Sequence, residues 1–191
     1  AVGLQGFAET TWGGDEPGLR EWGFNGVALH RRDGSLLWRQ PAEETHVICV
    51  QVVGDRVIAG DNYGTLSVYG LADGSLIWRG PYGGYFAANE KFILGQTGDS
   101  RAVLLDHQGN ALWFSQPKTM SCGASCLGLA GNGTAIVGST YPETKVYVFT
   151  PEGRVLWTRG TGEYRGVVDI TADGTVWAVG TAERLDVYRA N

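Results

Sequence analysis

An all-β fold built from stacked repeats is predicted by three features of this chain. A turn, an apolar pair and a tryptophan recur four times: "DGSLLWRQ" from Asp33, "DGSLIWRG" from Asp73, "QGNALWFSQ" from Gln108 and "EGRVLWTRG" from Glu152. The repeated tryptophans Trp38, Trp78, Trp113 and Trp157 are 40, 35 and 44 residues apart, and among all-β architectures a period in this range points to propeller blades. The composition, with 30 Gly, 7 Trp and only 18% charged residues, suits many short punctuated strands better than long helices. The predicted architecture is therefore a β-propeller of about four to five four-stranded blades, a single domain over residues 1–191, with N- and C-terminal strands closing the ring.

The elements follow in chain order. "VGLQGFAE", "GVALHR" and "SLLWRQ" supply late strands of a first unit. "HVICVQVV", "DRVIAGD", "TLSVYG" and "SLIWRG" are β-branched or aromatic runs broken by "VGD", "DNYG" and "ADG", turn sequences whose Gly and Asn accept the positive φ of tight hairpins. A third unit reads "GYFAAN", "KFILGQ", "AVLLDH", "NALWFS", and a fourth "SCLGLAG", "TAIVGST", "KVYVFT", "RVLWTR". With the strands lettered A to D outward from a central axis, strand D carries the tryptophan. One such sheet cannot bury both faces alone. A Trp at a fixed place buries roughly 150–250 Å² at the junction with the next sheet, so Trp38, Trp78, Trp113 and Trp157 are expected to be packing residues.

The C-terminal "GVVDIT", "TVWAVG" and "LDVYRA" form strands A, B and C with no D strand after them. The N-terminal strands are expected to complete that sheet, within one chain or, by strand exchange, across identical chains. Open edges otherwise invite association.

The stretch "YGLADGSLIW" (Tyr69 to Trp78) resembles the quinoprotein, or PQQ-like, β-propeller repeat, and "VFTPEGRVLW" and "LLDHQGNALW" are degenerate versions. The resemblance runs from about Gly26 to Tyr188. WD repeats fit less well, because Arg, Arg, Phe and Thr follow the four tryptophans and Asp never does. The resemblance implies a propeller fold within a superfamily of quinone-dependent dehydrogenases, outer-membrane assembly lipoproteins and surface-exposed sensory or adhesion domains. Its enzymes use an adjacent-cysteine disulfide beside the quinone and a carboxylate-held Ca²⁺. This chain has Cys49, Cys122 and Cys126, none adjacent, so no enzymatic residue is carried over and no cofactor is expected. Fold alone assigns no activity.

Other chemistry is thin. His30, His46 and His107 fall in different repeats without metal-site spacing, so no catalytic residue and no metal ligand is assigned. "GDNYG" and "TGDSR" do not match a Ca²⁺ loop. Asn132 in "NGT" fits both a glycosylation acceptor and a hairpin turn, and the turn is favoured. Cys122 and Cys126 in "CGASC" admit a small disulfide loop; the other reading is three buried free thiols, Cys49 included. A net charge of −5 argues against a nucleic-acid partner, which calls for a basic face. No apolar run reaches the length of a transmembrane segment.

The A–B and C–D connections are short, and they share one face. The B–C and D–A connections are expected to be longer, on the other face, and carry Trp12, Trp22, Tyr82, Tyr85, Tyr141 and Tyr164. Variable loops on a rigid scaffold are where recognition concentrates, and Tyr and Trp dominate binding hot spots. The sequence thus points to a non-enzymatic scaffold binding a protein or glycan partner through that face. Low charge, abundant Trp and Tyr, a start at Ala1 and the family resemblance favour an extracytoplasmic location. A reduced quinoprotein-like enzyme with a site at the channel mouth is the alternative.

Overall fold

The computed structural model describes residues 7–9, 26–41, 45–121, 123, 126–141, 143–162 and 167–190. The chain divides into two compact units, Ala1–Gly84 and Tyr85–Asn191. Both are built of antiparallel meanders, and the fold is all-β, of propeller type. Among the described residues no helix is long and apolar enough to cross a membrane.

The first unit holds two sheets. Strands β1 (Phe7–Glu9), β2 (Gly26–His30) and β3 (Leu36–Pro41) pair in that order; β4 (Val47–Val53), β5 (Arg56–Asp61), β6 (Leu66–Gly70) and β7 (Leu76–Gly80) make a complete four-stranded meander. The second unit holds three. Strands β8 (Ala87–Ala88), β9 (Phe92–Gln96), β10 (Arg101–Asp106) and β11 (Ala111–Lys118) form one. Next, β12 (Met120–Ser121) and β13 (Leu127–Leu129) share one edge of β14 (Ala135–Tyr141), which continues into β15 (Lys145–Phe149) and β16 (Val155–Gly160). Last come β17 (Val167–Ile170), β18 (Val176–Gly180) and β19 (Leu185–Arg189).

The strands read from the sequence are present, with two differences. The expected joining of the N-terminal strands to the C-terminal sheet is not among the ladders of the described residues. Phe7–Glu9 pairs with β2, so β3 already belongs to a sheet of its own, with Trp38 opposite Leu29. Four B–C connections are also short, at residues 62–65, 97–100, 142–144 and 181–184, whereas residues 10–25 separate β1 from β2. Length variation among the described connections therefore belongs to the D–A segments.

The repeated motif produces repeated geometry. The Asp33 carboxylate accepts hydrogen bonds from the Ser35 amide at 3.0 Å and its hydroxyl at 2.7 Å; Asp73 does the same for Ser75 at 3.0 and 2.8 Å. Gly74 and Gly153, at φ of +70° and +81°, turn the chain in the left-handed region that only glycine enters freely. Their missing side chains leave room for a neighbour. A Cβ on Gly74 would lie 2.6 Å from Trp38, and one on Gly153 would lie 2.6 Å from Trp113. Trp38 and Trp113 thus lie on the C–D turn of the next sheet, and they and Trp157 meet an aromatic residue of its C strand. Trp38 is 6.1 Å from Tyr69, Trp113 5.4 Å from Phe149, and Trp157 4.6 Å from Tyr188. Three apolar clusters lie at these junctions: Val27, Leu29 and Trp38 with Val57, Ala59 and Tyr69; Ala102, Leu104 and Trp113 with Val137 and Phe149; Val146 and Val148 with Val168, Trp177 and Val179.

The A–B turns of the second unit are chained by asparagine. Asn89 Nδ2 donates to the Ala130 carbonyl at 2.8 Å, and Asn132 Nδ2 donates to the Asp173 carbonyl at 3.1 Å. Asn132 Oδ1 also accepts from the Thr134 amide at 2.9 Å, so its side chain serves the turn in both directions.

Asp173 closes the last of these turns. Hydrogen bonds from the Thr171 hydroxyl and from the Thr175 amide and hydroxyl bring its carboxyl down to about 2 from an ordinary 3.8. A lowered folded-state value means stability that is fully present above the unfolded value and lost as pH falls toward the folded one. An Asp173→Asn variant is therefore expected to show a shallower loss of stability between about pH 4 and pH 2 than the parent chain, read from melting temperature against pH. Parallel profiles would remove Asp173 from the acid response.

Candidate functional site

The best-defined part of the loop face lies in the first unit. Asp61 ends β5 and accepts hydrogen bonds on Oδ1 from the amides of Tyr63 at 3.0 Å and Thr65 at 2.8 Å. Gly64, at φ +82°, completes the turn. This geometry places Tyr63 at the tip, where it is 73% exposed.

Two neighbouring segments brace the turn. The His46 amide donates to Asn62 Oδ1 at 2.8 Å, and the Asn62 amide donates back to the His46 carbonyl at 2.9 Å. From the other side, the Gly83 amide donates to the Gly64 carbonyl at 2.8 Å. The Gly80–Gly84 segment passes so close that a Cβ on Gly60 would sit 1.9 Å from the Gly84 carbonyl oxygen, and one on Gly84 would sit 2.3 Å from that of Asp61. "GPYGG" is glycine-rich because backbone packs on backbone there. Within it, half-buried Tyr82 meets Trp78 edge-on at 6.3 Å. The result is a pinned surface presenting one exposed phenol, with an imidazole-bearing and an amide-bearing residue beside it.

The six predicted recognition residues fare differently. Tyr82 lies in this braced segment, held against Trp78 and only partly available. Tyr85 is exposed and belongs to the second unit. Tyr141 ends β14. Trp12, Trp22 and Tyr164 lie outside the described residues. Tyr63, which the sequence reading passed over, is the most exposed of the described aromatics on this face. The signal was present: Asp at the first place of "DNYG" predicts an Asx-type turn, and connecting turns lie at the surface.

The histidines serve backbone geometry. His30 Nδ1 donates to the Gly34 carbonyl at 3.2 Å, and His107 Nε2 donates to the Asn89 carbonyl at 2.7 Å. Among the described residues no three His, Cys, Asp or Glu side chains converge as a metal site. A depression of about 140 Å³ in the second unit is lined by Asp169, Ile170, Thr171, Val176, Trp177 and Ala178. Cys126 is disulfide-bonded and Cys49 is a half-buried thiol; Cys122 lies outside the described residues.

Comparison with known proteins agrees with this architecture. The sequence profile of the PQQ-like repeat family described as "outer membrane protein assembly factor BamB" matches residues 24–189. The chain belongs to this family. No curated protein matches it in sequence. Among solved structures it superposes on the computationally designed Ika8 protein with a TM-score of 0.73 at 12% identity, over 87% of this chain and 53% of that one. The WD40 β-propeller domain of Doa1 gives 0.63 at 17% identity, over 85% and 56%. Hsv2 of Kluyvelomyces marxianus gives 0.67 at 14%, over 87% and 60%. These likenesses establish the propeller fold. The chain spans little more than half the length of the structures it matches.

Proposed function

We propose that this chain is a non-enzymatic propeller scaffold that binds a protein partner outside the cytoplasm, through the face carrying Tyr63 and the D–A connections. The braced turn carries the proposal. A rigid, exposed Tyr loses little conformational freedom on binding, and Tyr is enriched where binding energy concentrates. The sequence-predicted Trp12, Trp22, Tyr85, Tyr141 and Tyr164 are proposed as further recognition residues. A glycan is the other ligand class that such an aromatic surface accepts. The family description supports a place in an extracytoplasmic assembly. The disulfide at Cys126 supports an oxidising compartment, with Cys122 its proposed partner. Non-reducing peptide mass spectrometry is expected to find Cys122 linked to Cys126, with Cys49 the alkylatable thiol. Alkylation of all three cysteines in the native chain would count against the bond and against that compartment.

The test of the function places a photo-crosslinking residue at Tyr63, at Tyr85 and, as control, at the exposed outer-strand residue Leu112. Discrete adducts with one protein of the outer-membrane assembly machinery are expected at the two tyrosine positions and not at Leu112. Equal labelling at all three, or none, would defeat the proposal. For the quinoprotein alternative, calorimetry with Ca²⁺ and pyrroloquinoline quinone is expected to give no saturable heat, because the chain has no adjacent cysteines. Stoichiometric binding would favour the enzyme.

A further inference from the structure

We propose that the second unit carries an oxyanion site at the junction of its last two sheets, where Arg159 of β16 and Arg184, next to β19, hold a carboxylate or phosphate group. A comparison of junctions carries the proposal. Two residues after the repeated Trp, the D strand places Gln40 opposite Val27, Arg159 opposite Val146, and Ser115 at hydrogen-bond distance from Ala102. Gln40 Nε2 donates to the Gly74 carbonyl at 2.8 Å, and Ser115 Oγ donates to the Pro117 carbonyl at 2.7 Å. Two residues before the facing C-strand aromatic stand Ser67, whose hydroxyl accepts from Arg79 Nε at 3.0 Å, and Tyr147. These four side chains are neutral. At the last junction the same two places hold Arg159 and Asp186.

The charges there do not cancel. Arg184 Nε donates to Asp186 Oδ2 at 3.0 Å, whereas Arg159 Nη1 stays 3.7 Å from the same oxygen. Arg159 instead donates to the Tyr188 hydroxyl, and its guanidinium carbon lies 5.6 Å from the centre of that ring. Both are contacts with a neutral group, and they hold the guanidinium without neutralising it. Lys145, the ladder partner of Gly160, is matched by Glu143. Two guanidinium groups thus share one carboxylate, and one positive charge is in excess among the described residues of the cluster. Neither terminal nitrogen of Arg184, nor Nη2 of Arg159, meets an acceptor among the described residues.

The cavity between them fits such a ligand. It measures about 10 Å³, and Thr161, Val179 and Thr181 line it together with the two arginines. That is room for roughly one oxygen-sized atom. It lies where the D–A connection leaves β16 and the B–C connection enters β19. Both arginine side chains are partly exposed, at 41% and 53%. A ligand from solution can therefore insert one oxygen while the guanidinium forks take the others, the match that arginine offers to carboxylate and phosphate. All of these residues belong to the second unit, so the site stands or falls independently of the Tyr63 turn.

Titrating inorganic phosphate into the intact chain, at an ionic strength held constant with chloride, tests this. Saturable NMR shifts are expected at the Thr181 and Arg184 amides and at the Arg159 side chain. Arg159→Gln and Arg184→Gln are each expected to weaken binding about tenfold, as for loss of a hydrogen bond to a charged group. The exposed Arg184 keeps the test decisive should the Arg159 variant fold poorly. Asp186→Asn is expected to tighten binding, because it removes the resident carboxylate that competes for the same guanidinium groups. A cluster that only clamps two sheets together would lose stability in Asp186→Asn and gain no affinity. Competition by a tetraglutamate peptide at the same resonances would mark the ligand as a partner's acidic side chain, and its failure to compete would mark a free oxyanion. Shifts that never saturate, or that survive both arginine variants unchanged, overturn the proposal. So does weaker phosphate binding by Asp186→Asn.

Discussion

Replacing Trp38 with Ala is expected to destabilise the chain by about 3–5 kcal/mol, the cost typical of truncating a buried aromatic. The indole is 8% exposed, lies on the Gly74 turn and meets Tyr69 at 6.1 Å. It also donates from Nε1 to the Leu71 carbonyl at 2.8 Å. Trp113 is equally buried against Gly153 and Phe149, but its Nε1 has no hydrogen-bond partner among the described residues. The two sites should therefore separate under a milder change. Trp38→Phe loses a hydrogen bond worth about 1 kcal/mol that Trp113→Phe does not lose. Half-buried Trp78 and Trp157 should respond less to Ala than Trp38 does. Chemical denaturation orders the set, and near-equal stability of Trp38→Ala and the parent chain would reject the packing role.

Gly60→Ala is expected to cost about 3 kcal/mol or more, the upper end of overpacking penalties. The added methyl would lie 1.9 Å from the Gly84 carbonyl oxygen and 2.8 Å from its carbon. Both are backbone atoms, so no rotamer change relieves the clash. The Gly80–Gly84 segment must move away, which strains the Gly83–Gly64 hydrogen bond and the turn that presents Tyr63. Loss of stability and loss of crosslinking at Tyr63 should therefore appear together. A Gly60→Ala chain that melts like the parent would mean that the close approach does not hold in solution.

Most of the fold was legible because the repeat writes its own punctuation. Asp-Gly-Ser at two turns gave two near-superimposable hydrogen-bond sets, and the spacing of the tryptophans set the sheets. The N-terminal strands were read, "VGLQGFAE" among them, but were expected to complete the C-terminal sheet; Phe7–Glu9 instead gives β2 its second ladder. The first strand of the fourth sheet was read as one run, yet it is split into Met120–Ser121 and Leu127–Leu129, with the cysteine loop between them. Periodicity cannot register a strand interrupted on one edge. The apolar pair before each Trp carries no sign of its exposure, yet Leu76, Ile77, Val155 and Leu156 are exposed. They sit on outer strands, where alternation turns Ile77 and Leu156 away from the side of the indole and a register shift separates Leu76 and Val155 from the Trp that follows. The face bearing the candidate site was readable from topology, whereas Tyr63 was hidden in "DNYG", read only as a hairpin turn and as a poor match to a calcium loop.

The central claim is that the tryptophan of one sheet packs on the C-strand aromatic of the next, and a double-mutant cycle on Trp113 and Phe149 tests it most directly. Their ring centroids are 5.4 Å apart at an interplanar angle of 35°. The predicted result for Trp113→Ala, Phe149→Leu and the double variant is a coupling energy of about 0.5–1.5 kcal/mol. Strict additivity of the two single changes would contradict it.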